Sequence, residues 1–370
     1  MHDSSDSNVL SSPASLGSAL DPEEESEDAF HTYLASTGPS HIEVPKMLKE
    51  ALAGPQGAQW EEVRQSEYNS LVENNVFRVV PKSEIPAGTK PITLIAVLSI
   101  KFNVNGDIQP LKVRLIAWGF LQHEGVDYQE VFAPAADNES IHILLTLAAH
   151  YDLKLDQMNV CTPFLNGDLN KEIYMIPPDG FKCPPGCIWK LKHLIYGLKQ
   201  ASHVWNIHLY QELEKIGFAH ISAEHCLYVY WTPDRKLCFL VVYVDDLLLA
   251  ANSQKFMDNI KQHIGSVFKT KDLGSVQYIL GIEILHDCAK HTISLSQCQY
   301  VKKILAWCRM ADCKPVQTPM EPGSQLVKNT GPIIPESIIK GTCVLFMSIV
   351  SSMMYAMLGT YPDLAYAVGM

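Results

Sequence analysis

Two adjacent acids interrupt a long apolar stretch of this 370-residue chain. Apolar, β-prone residues fill the run 239–250 on both sides of Asp245 and Asp246, a pattern that predicts a β-hairpin with the two acids at its turn. Turns of this kind usually carry Gly, Asn or Pro. Two carboxylates in an apolar setting are costly unless their charges meet a cation. The segment therefore indicates either a site for a divalent metal or a hairpin whose turn is simply acidic.

Several other segments resemble the motifs of copia-type retrotransposon reverse transcriptases, in the same order along the chain. The run 157–169, QMNVCTPFLNGDL, is similar to the first palm motif of that family, and 194–201 with Trp205 is similar to the next. The acid hairpin, YVDDLLL over 243–249, is the third. Downstream matches lie at 273–283, 310–319 and within 348–369. The resemblance covers roughly residues 46 to 370, and several motifs in order are more specific than any single one.

The resemblance implies an α+β fold, a right-hand polymerase in which helices pack on an antiparallel palm sheet. We expect a fingers-like subdomain over 46–152, a palm with the Asp-Asp hairpin over 153–296, and a thumb or connection region over 297–370 that is truncated before RNase H. Residues 1–45 hold nine acidic residues and no Lys or Arg. Such a Ser-rich, acidic composition predicts a disordered tail, for which a protein partner is one interpretation.

The resemblance also implies RNA-directed DNA polymerase activity, in which two Mg²⁺ ions catalyse nucleotidyl transfer from a dNTP to an RNA or DNA primer–template. The catalytic and metal-binding positions that match the family are Asp245, Asp246 and Asn159. At the last of these the family has Asp, and Asn removes a negative charge that a hard dication prefers. Asp156, three residues earlier, should face the other side of the strand. We therefore expect a weakened Mg²⁺ site and a catalytically impaired enzyme.

Four further residues match positions at which the family contacts the incoming nucleotide. Lys112 and Arg114 would grip the triphosphate, as their charge and donor geometry allow. Phe164 would lie under the sugar and exclude a 2′-hydroxyl, or it is a buried core residue. Gln200 would pack against the nucleotide, or it lies on a helix surface. Pro163 replaces an Ala of the family and lacks the backbone N–H expected to contact triphosphate.

Charge and composition leave three functional interpretations open. The formal net charge is −11, but the acidic tail contributes −9, so the remainder, with 29 basic and 31 acidic residues, is near neutral and can still present a local basic patch to nucleic acid. The chain is then an impaired reverse transcriptase, an active one that tolerates Asn159, for instance with Mn²⁺, or a non-enzymatic retrotransposon-derived binding or scaffold protein.

Localisation and metal content follow from simpler features. The polar, acidic N-terminus does not resemble a secretory leader, and the apolar run 344–358 is shorter than the ~20 residues of a membrane span. We expect an intracellular protein, cytoplasmic or nuclear, without membrane contact. Cys183 and Cys187 are the only close cysteine pair, and no second pair follows, so the cysteines are predicted to be free thiols rather than zinc ligands.

Apolar spacing and turn residues give the expected secondary structure. Helices are predicted at 47–52, 60–73, 140–150, 201–216, 254–268 and 300–308. Strands are predicted at 76–80, 92–102, 113–116, 155–160, 279–285 and 292–295. Asn105-Gly106 predicts a hairpin between two of these strands, and the run from Lys271 to Gly274 is expected to end the helix at 254–268.

Overall fold

The computed structural model describes residues 44–100, 111–167, 169, 171–222, 224–320, 323 and 336–370. The helices in these ranges are α1 (Leu48–Ala53), α2 (Gly57–Glu73), α3 (Asn138–Tyr151), α4 (Ala201–Ile216), α5 (Gln254–Val267), α6 (Cys298–Trp307), α7 (Glu336–Gly359) and α8 (Ala365–Gly369). No helix in the described ranges is both long and apolar enough to cross a lipid bilayer.

The strands form three sheets. In chain order they are β1 (Phe77–Pro81), β2 (Ile92–Ser99), β3 (Lys112–Ala117), β4 (Lys154–Val160), β5 (Tyr174–Ile176), β6 (Cys187–Leu191), β7 (Ala219–Ile221), β8 (Glu224–Trp231), β9 (Leu237–Tyr243), β10 (Asp246–Ala251), β11 (Thr270–Ser275), β12 (Tyr278–Ile279), β13 (Ile282–Asp287) and β14 (Thr292–Ser296). The N-terminal sheet has the order β1-β6-β5-β2-β3, the central sheet β11-β4-β10-β9-β8-β7, and the small sheet β12-β13-β14. All pairings are antiparallel except β2 with β5, so the chain has an α+β fold.

The central sheet is covered on both faces, which explains the continuous apolar sequence of β10. Alternate residues point to opposite faces. Leu247 and Leu249 belong to the core that includes α4 and α5, whereas Leu248 packs with residues of α3 and of the small sheet. The acid hairpin is thus anchored by strands that have almost no exposed side chains beyond the turn.

The N-terminal sheet draws strands from two distant parts of the chain. β5 and β6 fall within the range 153–296 yet pair with β2 and β1, respectively. Strand β3 of this sheet also makes a close backbone contact with the segment before α4, where Ala117 donates its N–H to the Tyr196 carbonyl over 2.8 Å. A Cβ on Gly197, whose φ is +84°, would lie 2.3 Å from the Ala117 carbonyl oxygen, so this contact requires glycine.

Most predicted elements are confirmed to within a few residues, and two predictions are wrong. Lys271–Gly274 does not end a helix: α5 stops at Val267, and the run belongs to β11, where Gly274 sits at a bulge in the pairing with β4. The single strand predicted at 279–285 is two strands, because Leu280 and Gly281 adopt positive φ and form a turn. The Asn105-Gly106 hairpin and the acidic tail, up to residue 43, lie outside the described residues.

Candidate active site

The turn of the acid hairpin is held from two sides. Tyr243 pairs with Asp246, which leaves Val244 and Asp245 as the two turn residues. Val244 has φ +56°, a conformation that β-branched residues rarely adopt. The indole Nε1 of buried Trp205 on α4 donates a hydrogen bond to the Val244 carbonyl over 2.8 Å. The backbone N–H of Val160 donates to the Asp245 carbonyl over 2.8 Å. These contacts fix the strained turn against α4 and the end of β4.

The structure brings the three predicted catalytic residues together. Asn159 on β4 lies directly opposite Asp246 on β10, and Asp245 precedes Asp246 in the turn. The Asn159 Nδ2 donates a hydrogen bond to the Asp246 Oδ1 over 3.2 Å. Gln157, two residues before Asn159 and hence on the same face, donates its Nε2 to the same oxygen over 3.4 Å. Two neutral amides therefore face the Asp246 carboxylate.

Asp156 occupies the opposite face of β4, as predicted from the odd offset. Its Oδ2 is 2.6 Å from Lys261 Nζ on α5, and the same ammonium is 2.8 Å from Asp272 Oδ2 on β11. Burial alone would lower the pKa of Lys261, but its hydrogen bonds to Asp156 and Asp272 outweigh burial and raise that pKa. Asp156 is thus committed to an ion pair and does not replace the missing carboxylate at Asn159.

A layered contact joins the N-terminal sheet to the segment after β4. The Arg114 guanidinium lies over the Tyr196 ring, 5.0 Å from its centroid, and the Tyr196 ring meets Phe164 edge-on at 4.9 Å. Phe164 belongs to the short 3₁₀ turn Pro163–Asn166 and is 8% exposed, so most of its ring lies in the core. The Tyr196 ring therefore contacts both the Arg114 guanidinium and the Phe164 ring.

The contact between Arg114, Tyr196 and Phe164 is close enough to the hairpin acids for Asp245 to affect the pKa of Tyr196. Burial raises the pKa of Tyr196, Arg114 opposes the shift, and Asp245 adds to it. Burial also raises the pKa of Glu67 on α2, while its hydrogen bond from the Leu115 N–H (3.1 Å) and the nearby Lys112 and Arg114 oppose the rise. Lys112, Arg114 and the hairpin acids thus lie around the half-buried phenol of Tyr196 and the half-buried carboxyl group of Glu67.

Tyr196 and Glu67 were not identified from the sequence. Tyr196 lies inside the second motif, 194–201, next to Gly197, but nothing in that motif indicates that this segment contacts β3. Glu67 lies in a helix whose apolar stripe gives no hint that one acid faces β3. Arg114 has a buried Nε that makes no hydrogen bond, which leaves part of its guanidinium without a protein acceptor.

Gln200 is buried and uses its amide within the protein. Its Oε1 accepts a hydrogen bond from Gln122 Nε2 over 3.0 Å, and its Nε2 donates to the Asp127 carbonyl over 3.2 Å. Gln122 in turn accepts from the Lys199 N–H over 2.8 Å. The contacts of Gln200 fix the segment around 122–127 to the start of α4 and do not include the hairpin acids.

Comparison with known proteins agrees with this arrangement. A family model described as "Reverse transcriptase (RNA-dependent DNA polymerase)" matches residues 74–322. The chain is 34% identical over 327 residues to the "Retrovirus-related Pol polyprotein from transposon TNT 1-94" of Nicotiana tabacum, covering 88% of this chain and 24% of that one. It is 31% identical over 322 residues to the transposon RE2 polyprotein of Arabidopsis thaliana, covering 86% and 21%.

A shorter relative is matched over most of its own length. The chain is 35% identical over 215 residues to a putative transposon Ty5-1 protein of Saccharomyces cerevisiae, covering 58% of this chain and 67% of that one. By contrast, the chain spans under a quarter of the two plant polyproteins. The similarity thus covers a limited part of those two polyproteins and not their whole length.

Proposed function

The chain belongs to the reverse transcriptase family of copia-type retrotransposon Pol polyproteins, and we propose that it is an RNA-directed DNA polymerase domain whose metal site is weakened by Asn159. The observation that carries this proposal is the pairing of Asn159 with Asp246, beside Asp245 in the turn. Its proposed substrates are a dNTP and an RNA or DNA primer–template.

In the proposed right-hand arrangement the central sheet is the palm. The N-terminal sheet with α1 and α2 would form the fingers, and it would include β5 and β6 because they pair with β1 and β2. The small sheet packs with α3 on the palm face that carries Asn159. Together with α6 and α7 it would lead into the thumb.

The residues present fit one hard cation better than two. Asp245 and Asp246 offer two carboxylates at the turn between β9 and β10, and carboxylate oxygens are the ligand type that Mg²⁺ prefers. Asn159 offers a single neutral oxygen, and its Nδ2 already donates to Asp246. When bound, the metal ions would supply the charge that activates the attacking oxygen and stabilises the leaving one. A third carboxylate is missing at the position where the family places it.

The basic strand β3 would bind the triphosphate. Arg114 lies over the half-buried ring of Tyr196, and Lys112 lies two residues earlier on β3, near Glu67. A fork of guanidinium donors suits phosphate oxygens. The Tyr196 ring would hold the Arg114 guanidinium in place through the cation–π contact. Phe164, edge-on to Tyr196, would then limit the space under the sugar.

A non-enzymatic scaffold remains the second candidate, and one contact favours it. In the absence of metal, the amides of Asn159 and Gln157 satisfy the Asp246 carboxylate, so the site is stable without a cation. A chain that had kept the fold and lost catalysis would gain from such a replacement. Proposed partners are then nucleic acid, or a protein that binds the acidic tail.

Primer extension on an RNA template distinguishes these proposals. The natural chain, Asn159→Asp and Asp245→Ala would be compared with Mg²⁺ and with Mn²⁺. We expect Asn159→Asp to extend the primer with Mg²⁺, the natural chain to extend it far more slowly, and Asp245→Ala to be inactive. Full Mg²⁺-dependent activity of the natural chain would refute the weakened site. If neither chain with Asp245 extends the primer while both are folded, the scaffold is favoured.

A further inference from the structure

A second group of metal-ligating side chains lies at the turn between β13 and β14, apart from the hairpin acids. Asp152, His286 and Cys288 each place one ligand atom so that all three lie within 4.8 Å of one another. The Cys288 Sγ is 3.6 Å from the nearer ring nitrogen of His286, Nε2. Carboxylate, imidazole and thiol thus converge from two distant parts of the chain.

The fold places these residues for identifiable reasons. His286 lies at the end of β13, and Cys288 follows two residues later, an even offset that favours the same side of an extended chain. Asp152 is the residue after α3 and has φ +51°. Because α3 packs against β14, the end of α3 is held beside the β13–β14 turn.

The Asp152 carboxylate points to a ligand. Its Oδ1 is buried and makes no hydrogen bond, although buried carboxylate oxygens normally accept one. His291, an imidazole outside the group, has its Nδ1 3.9 Å from this oxygen, which is beyond hydrogen-bond length. The Asp152 side chain as a whole is 43% exposed, so a cation can reach it from solvent.

We propose that Asp152, His286 and Cys288 bind Zn²⁺ or a divalent cation of similar softness. Thiolate, imidazole and carboxylate are its usual protein ligands, and Mg²⁺ prefers oxygen alone. Tetrahedral coordination places a sulfur and a nitrogen ligand about 3.6 Å apart, which is the separation found between Cys288 and His286. Three protein ligands leave a fourth position to water, and binding releases the thiol proton to solvent.

Such a site would tie the β13–β14 turn to the end of α3. It would therefore brace the small sheet, which packs on the palm face carrying the hairpin acids. Cysteine pairs alone could not reveal it, because its ligands are one cysteine, one histidine and an aspartate far away in sequence. The inference does not depend on polymerase activity.

Cobalt substitution tests the site, using the full chain after treatment with a chelator. Titration with Co²⁺ should give a thiolate-to-cobalt charge-transfer band that saturates at one equivalent and is displaced by Zn²⁺ but not by excess Mg²⁺. Cys288→Ser should abolish the band, and Asp152→Asn should weaken Co²⁺ binding at least about tenfold. Cys313→Ser, at another exposed cysteine, and Asp245→Ala should leave the band unchanged.

Two results would overturn the proposal. One is the absence of a charge-transfer band in the natural chain. The other is a band that does not arise from Cys288, which would be seen if the band survives Cys288→Ser or disappears in Cys313→Ser. Circular dichroism of each variant without metal would verify folding, and Cys288 is exposed, so its replacement by Ser should not disturb the core.

Discussion

Strand β4 borders a polar cluster on each face, the first around Asp156 and the second around Asp246 of β10, and the carboxylates of the two clusters are satisfied in different ways. On one face Asp156 and Asp272 share the ammonium of Lys261. On the other face the Asp246 carboxylate accepts hydrogen bonds from the amides of Asn159 and Gln157. The first cluster contains its own cation and stabilises the packing of α5. The second lacks a full positive charge among these contacts, which is what a site for an external cation requires.

The largest expected effect concerns the first cluster, in which Asp156 and Asp272 share the ammonium of Lys261. Lys261→Met would leave Asp156, whose side chain is 10% exposed, without its charged partner, although the Gln254 amide still donates to it. Removing one member of a buried pair leaves an uncompensated charge, so we expect a loss of about 3 kcal/mol in the free energy of unfolding. Urea denaturation would measure it, with Lys255→Met, an exposed lysine of the same helix, as control. Equal losses in the two variants would contradict a special role for Lys261.

Trp205→Phe tests how the hairpin turn is held. The variant loses the hydrogen bond from the indole to the Val244 carbonyl. Because Trp205 is only 2% exposed, the smaller ring also leaves a small cavity in the core. We expect a loss of about 2 kcal/mol in the free energy of unfolding. Trp118→Phe, at a tryptophan that is 39% exposed, is the matched control and should cost much less.

Asn159→Asp should lower the stability of the chain without metal, although we expect it to raise catalytic activity. Without metal, the new carboxylate would face Asp246 and remove a hydrogen bond, costing about 1 kcal/mol in the free energy of unfolding. Asn69→Asp adds the same charge at an exposed position and serves as control. If Asn159→Asp is as stable as the natural chain without metal, the amide–carboxylate contact has no energetic role.

The smallest effect is a pH dependence of the first cluster. Burial alone would raise the pKa of Asp272, but the hydrogen bonds from Lys261 and from the Gly274 N–H, together with the charge of Lys261, outweigh burial and lower that pKa. Its contribution to stability is therefore complete above the ordinary aspartate pKa of about 3.9 and is lost as the pH falls through the lowered value. Urea midpoints measured from about pH 2 to pH 6 should fall less steeply in Asp272→Asn than in the natural chain.

The residue pattern of each segment was sufficient to predict the part of the site that lies on the adjacent strands β4 and β10. The period of two along β4 places Asn159 and Asp156 on opposite faces, and the apolar runs around Asp245 form the predicted hairpin. By contrast, the run ending in Gly274 has a helix-stop signature, but pairing with β4 makes it an edge strand. Local signals could not reveal a pairing that depends on a distant strand.

The residues that sequence reasoning missed depend on tertiary contacts. Tyr196 contacts Arg114 and Phe164 because β3 and the segment before α4 meet backbone to backbone at Gly197. The indole of Trp205 is buried, and its hydrogen bond to the Val244 carbonyl depends on how α4 packs on the hairpin. Neither contact has a signature within a single motif.

The central claim is that Asn159 weakens an otherwise intact metal site, and Mg²⁺ affinity tests it most directly. Isothermal titration would compare the natural chain with Asn159→Asp, with Asp245→Ala in the Asn159→Asp background as control. We expect Asn159→Asp to bind Mg²⁺ at least about tenfold more tightly than the natural chain, because a charged oxygen replaces a neutral one, and the control to lose that gain. Equal Mg²⁺ affinity in the natural chain and Asn159→Asp would contradict the claim.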